Sequence, residues 1–144
     1  ELSEIYPDTC YIVSFGNYAK KDEPVEKPAE NIFVYQYADY DTFLPKVDYI
    51  IHHGGTGILY NGIKFNKPSV IIPHDYDQFD YAVRAEIAEI GFPASLKSRK
   101  SVIDAVGKML NKKDWKKLEK MSEDFKKYNP SNVLKNEINR LVGK

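Results

Sequence analysis

The chain has 144 residues, enough for one domain with a sizeable core, and its 42% hydrophobic and 29% charged content is ordinary for a globular protein. Lys plus Arg and Asp plus Glu number 21 each, so the chain offers nucleic acid or an anionic membrane no general electrostatic attraction. No apolar run approaches the roughly 20 residues that span a bilayer, the start Glu1-Leu2-Ser3-Glu4 lacks the pattern of a signal peptide, and the lone Cys10 closes no internal disulfide, features that fit a cytoplasmic protein.

Short apolar runs alternate with longer helical patterns, as in βαβ units around a parallel sheet. Tyr11 to Phe15 reads as a buried strand ending at Gly16. Asn17 to Asn31 is charged, carries Pro24 and Pro28, and reads as an exposed loop. Ile32 to Tyr35 is the next strand. Asp41 then caps a short helix, Thr42 to Pro45, ahead of a strand at Asp48 to Ile51. A glycine-rich turn, His52-His53-Gly54-Gly55-Thr56-Gly57, opens a helix that runs to about Phe65 and is ended by Pro68. Ser69 to Ile72 forms a strand closed by Pro73; Asp77 to Ile90 is a helix stopped by Gly91; Pro93 to Leu96 is a short strand.

Helices follow. Ser101 to Leu110 puts Val102, Ile103, Val106 and Leu110 on one face. Trp115, Leu118, Met121, Phe125 and Tyr128 recur every three or four residues in a Lys-rich background, whose lysines read as a solvated outer face. After the break at Asn129-Pro130, Val133 to Leu141 forms the last helix. The pattern predicts an α/β fold: a Rossmann-like open parallel sheet with flanking helices. One domain is expected over 1–144, with sheet and site in 1–112 and packed helices in 113–144.

Strand, glycine-rich turn, then helix is an arrangement suited to phosphate. The first helix amides point outward and the helix dipole puts partial positive charge there. His53 falls at a strand's carboxyl edge, where open α/β sheets bind ligands, and an imidazole N–H there donates well to a diphosphate oxygen. A tight βα turn with two satisfied histidines accounts for the same residues. The second turn, Pro73-His74-Asp75-Tyr76-Asp77-Gln78, strengthens the phosphate reading, since it also joins a strand end to a helix. Asp77 and Gln78 supply acceptors and amide donors suited to sugar hydroxyls; Asp77 also reads as a helix cap. His52, His53, His74 and Asp75 are metal-ligand types. Neighbouring strand residues point to opposite faces, however, so His52 and His53 share an ion only with distortion. His52 is expected to pack or hydrogen-bond on the far side, and no metal is expected.

The run LPKVDYIIHHGGTGILYNGIKFNKPSVIIPHDYDQFDYAVRAEIAEIGFP resembles the donor-binding signature of the UDP-glycosyltransferase superfamily, and within it the sterol and antibiotic glucosyltransferase branch. The likeness extends from about Cys10 to about Leu110. It implies the C-terminal half of a two-domain GT-B fold. By the resemblance, His53 contacts the donor diphosphate, Gly55, Thr56 and Gly57 hold the phosphates, Asp77 and Gln78 bind the donor sugar, and Tyr37 stacks on the base. Asn61 occupies the position of a ribose-binding Glu. Tyr37 also reads as a core or surface tyrosine.

There are departures from the family pattern. Ile58 stands where relatives carry Ser or Thr, Asp39-Tyr40 follows the base position, and Asn66-Lys67-Pro68 replaces Gly-x-Pro, with Asn66 expected in a left-handed turn.

The resemblance implies inverting transfer of a hexose from a UDP-sugar to an acceptor hydroxyl, with no metal or other cofactor. The catalytic base and acceptor site would belong to an N-terminal domain, in the same chain or a separate one. The missing initiator Met suggests a piece of something longer, inactive alone, and the first βα unit of the donor domain has no counterpart here. The alternative is a stand-alone, non-catalytic nucleotide- or partner-binding domain on a reused glycosyltransferase fold.

Overall fold

The computed structural model describes residues 1–23 and 25–143. Pro24, one of the two prolines of the expected loop, lies outside the described residues, as does Lys144. The chain divides into two compact units, Glu1–Val47 and a second that begins at Asp48. The internal division expected at 112 falls inside the second unit.

In the first unit a short helix, α1 (Leu2–Ile5), precedes two parallel strands, β1 (Tyr11–Ser14) and β2 (Ile32–Tyr35). Tyr11 stands opposite Ile32 and Ser14 opposite Tyr35. Asn31 ties the N-terminal segment down by donating to the carbonyls of Ser3, Pro7 and Thr9 at 3.2–3.3 Å. Between the strands the described residues form one 3-10 turn, Tyr18–Lys20, in an otherwise irregular, mostly exposed loop. The helix expected at Thr42 to Pro45 begins earlier, as α2 (Tyr40–Phe43), and its cap is Asp39, not Asp41. Asp39 Oδ2 accepts the Thr42 amide at 2.9 Å and the Thr42 hydroxyl at 2.8 Å. A cap bonds backwards from the second or third helical residue, so the carboxylate just outside the helix takes the role.

The second unit holds β3 (Ile50–His52), β4 (Ser69–Ile71) and β5 (Gly91–Pro93), all parallel, in the order β3-β4-β5. Its helices are α3 (Thr56–Lys64), α4 (Tyr76–Ile87), α5 (Arg99–Asn111), α6 (Lys116–Lys127) and α7 (Pro130–Val142). Helices α4 and α5 pack on β5, α5 also reaches β4, and α6 lies on α3. β4 is buried at every position, so its continuous apolar run is that of an inner parallel strand. Ile71, Ala82, Ala85, Ile90 and Leu118 form the core cluster, with Trp115 against it. The small alanines let α4 approach the sheet closely. On α6 the buried positions are Leu118 and Ser122, whose hydroxyl donates to the Lys64 carbonyl at 3.2 Å; Met121 and Tyr128 stay exposed. α7 buries none of its residues.

Gly91 does not stop α4. The helix ends at Ile87, and Glu89 makes the left-handed turn with φ 59°. Gly91 is instead the first residue of β5, which starts two residues earlier than expected. A Cβ there would meet the Ser69 carbonyl oxygen at 2.7 Å, so the glycine serves strand–strand contact. Asn66 does adopt the left-handed conformation, φ 57°, ahead of Pro68.

The strands pair as β1-β2 in the first unit and β3-β4-β5 in the second, as parallel sheets with flanking helices. Among the described residues no helix is long and apolar enough to cross a membrane.

Candidate functional site

The glycine turn leaves the carboxyl end of β3 and enters α3 at Thr56. Two glycines make it possible. Gly54 has φ 96°, where an L side chain is strained, and a Cβ on it would lie 3.0 Å from Ile71 Cγ2 and 3.4 Å from Gln78 Cβ. Gly55 lies under the His53 ring: a Cβ there would be 2.5 Å from His53 Nε2. His53 is therefore folded over the helix entrance, and its side chain is exposed.

Gly55 is also the N-cap of α3, with no side chain to cap the first amides, so these are left to solvent or a ligand. Thr56 and Gly57 are exposed, and a Cβ on Gly57 would meet nothing within 4 Å. Backbone donors, helix dipole and one imidazole converge on open space, a suitable setting for an anion. Asn61 is turned back along its helix. Its Nδ2 donates to the Gly57 carbonyl at 2.8 Å, which uses one of the amide's donors.

The second turn adjoins the first, since Gln78 is among the atoms nearest Gly54. Here the sequence reading missed a motif, because the cap of α4 is Asp75 and the pair Asp75/Gln78 forms a capping box. Asp75 Oδ1 accepts the Tyr76 amide at 3.0 Å. Gln78 Oε1 accepts the amides of His74 at 2.9 Å and Asp75 at 3.2 Å. The spacing Asp-x-x-Gln ahead of an amphipathic run was the signal. Asp77 is thus released from capping and stands exposed in the first turn of α4. A mostly apolar cleft of about 560 Å³ opens beside this turn, with His74 and Phe79 on its wall; the glycine turn lies outside it.

His52 is the residue the sequence underestimated. It is partly buried and hydrogen-bonds to the turn itself: the Gly54 N–H donates to its Nδ1 at 3.0 Å. Its Nε2 is buried and has no hydrogen-bond partner among the described residues. Burial, and secondarily the neighbouring His53, hold its pKa down at about 4, so the ring is neutral at neutral pH. Among the described residues no group of three or more His, Cys, Asp or Glu side chains is placed to hold a metal ion. Tyr37 belongs to the first unit, where its partly buried ring meets Tyr18 edge-on at 5.0 Å between centroids. The other candidates all belong to the second unit.

The sterol 3-beta-glucosyltransferase of Vanderwaltozyma polyspora is 35% identical over 96 residues, covering 67% of this chain and 8% of the relative. The UDP-glucosyltransferase A1 of Starmerella bombicola is 29% identical over 143 residues, 94% of this chain and 30% of that protein. The chain therefore spans less than a third of either relative. Among solved structures, the glycotransferase of kitacinnamycin superposes with a TM-score of 0.81 at 17% identity, covering 96% of this chain and 37% of that one. The spinosyn rhamnosyltransferase SpnG complexed with thymidine diphosphate gives 0.73 at 19% identity, covering 89% and 35%. These neighbours share the fold, that of GT-B glycosyltransferases. The model of the glycosyltransferase family 28 C-terminal domain matches residues 6–136, across both units, and the chain belongs to that family.

Proposed function

We propose that this chain binds the donor of a hexosyltransferase, a UDP-sugar, and holds its leaving group while a second domain supplies the acceptor and the base. The observation that carries the reading is the uncapped entrance of α3 with the His53 ring folded over Gly55. The diphosphate would lie on the amides of Gly55, Thr56 and Gly57 and accept an N–H from His53. The sugar hydroxyls would meet Asp77 and Gln78, and Asn61 would reach the ribose. Support for a nucleoside diphosphate comes from the names of the relatives, one a UDP-glucosyltransferase and another complexed with thymidine diphosphate.

In the reaction, a base on the other domain deprotonates an acceptor hydroxyl, which attacks the anomeric carbon with inversion as the nucleoside diphosphate departs. The role of this chain is orientation and stabilisation of the charge that grows on the leaving diphosphate. Preorganised amides and His53 do this without calling on a metal. Its partner is the acceptor-binding domain, carried on the same polypeptide or on another.

Calorimetric titration with UDP and UDP-glucose tests the reading. The wild-type chain is expected to bind both, His53→Ala to weaken both about tenfold, and Asp77→Ala to weaken only the sugar nucleotide. Absence of binding at millimolar ligand would overturn it.

A further inference from the structure

Gly54 is buried, so its N–H must find an acceptor inside the protein. The strand ladder does not provide one, because β3 has already ended at His52. The acceptor is the side chain two residues back, His52 Nδ1, at 3.0 Å. This bond requires Nδ1 to be unprotonated and so places the ring's proton on Nε2, the atom that is buried with no hydrogen-bond partner among the described residues. An apolar side chain of similar size would avoid that cost of burial. Histidine does what such a side chain cannot, which is to accept from the Gly54 amide.

We propose that His52 is the positioning residue of the glycine turn, fixing the Gly54 peptide so that His53 and the first amides of α3 keep their outward aim. This rests on the phosphate-binding reading above. With φ 96°, Gly54 has a conformation that glycine leaves easily. Rotation of the peptide before it would carry the His53 ring off Gly55, where it now lies within van der Waals reach. The bond to Nδ1 closes that freedom. His52 thus acts through the backbone and touches no ligand.

The test uses the 144-residue chain, labelled with nitrogen-15, and two variants. In the wild type, His52 is expected to show a bare Nδ1 and a protonated Nε2 near neutral pH. His52→Asn places an amide oxygen where Nδ1 stood. It should keep the Gly54 amide protected from solvent exchange and UDP affinity within about twofold of wild type. His52→Leu should speed Gly54 exchange and weaken UDP by about tenfold each. A proton on Nδ1, unchanged Gly54 exchange in His52→Leu, or an Asn variant as impaired as Leu would each overturn the proposal. Should His52→Leu not fold, the wild-type tautomer and the Asn variant still decide it. A wild-type chain that binds no UDP would sink the phosphate reading, while tautomer and exchange would still decide the bond.

Discussion

Two helices of the second unit begin at the carboxyl ends of neighbouring strands, and their first turns are built in opposite ways. α3 opens on Gly55 with no cap, beneath an exposed imidazole. α4 opens on Asp75, with Gln78 closing a reciprocal box around it. A good cap is worth about 1 kcal/mol, so α3 forgoes that stabilisation and α4 takes it. The difference teaches how to separate a helix end kept open from one that is finished. The open end offers backbone and dipole to a visitor; the finished end serves as a rigid mount for its side chains.

Breaking the open turn should have the largest effect. Gly54→Ala combines a strained φ with a Cβ pressed to 3.0 Å from Ile71 Cγ2, and should cost about 4 kcal/mol in urea unfolding. A loss below 1 kcal/mol would show that the turn relaxes freely. Acid should act next on the same turn. His52 titrates at about 4 in the fold against 6.5 in the unfolded chain, so between these values the unfolded state binds more protons. Its contribution, about 3 kcal/mol, is complete above pH 6.5 and is lost as pH falls to 4. Unfolding titrations of wild type and His52→Asn across that range isolate it, since only the wild type should show this loss beyond the shared carboxylate effects. The smallest change is expected at the finished turn. Asp75→Ala should lower stability by about 1 kcal/mol and leave UDP affinity unchanged. If it weakened UDP as strongly as His53→Ala, the two turns would not be separable in function.

Much of this was legible before any coordinates. The strands at Ile32 and Ser69 stood out because apolar runs were bounded by turn residues, and Gly54 to Gly57 because glycine clusters there. The misreadings share a cause, which is that composition does not say which of two similar neighbours takes a role. Asp39 and Asp41, or Asp75 and Asp77, are alike as letters; the geometry of the first helical amides chooses between them. Gly91 looked like a helix stop because glycine commonly is one, yet Glu89 took the left-handed position and Gly91 went to a strand contact with Ser69. Strand alternation set His52 apart from His53, and His52 is indeed packed and hydrogen-bonded while His53 is exposed. What the letters did not show was its partner, because the chain turns at Gly54 and brings that amide to the ring.

The box at α4 has a further consequence for Gln78. A glutamine amide is ambiguous in direction, because its oxygen and nitrogen can exchange places at little cost. Here two amides grip the oxygen, which fixes the direction of the amide and leaves the NH₂ end as the donor. Beside it the carboxylate of Asp77 can only accept. The pair thus presents a fixed polarity, donor next to acceptor, and a ring of hydroxyls meeting it has one orientation that satisfies both. In the proposed donor site, the orientation of the sugar would begin with a helix cap.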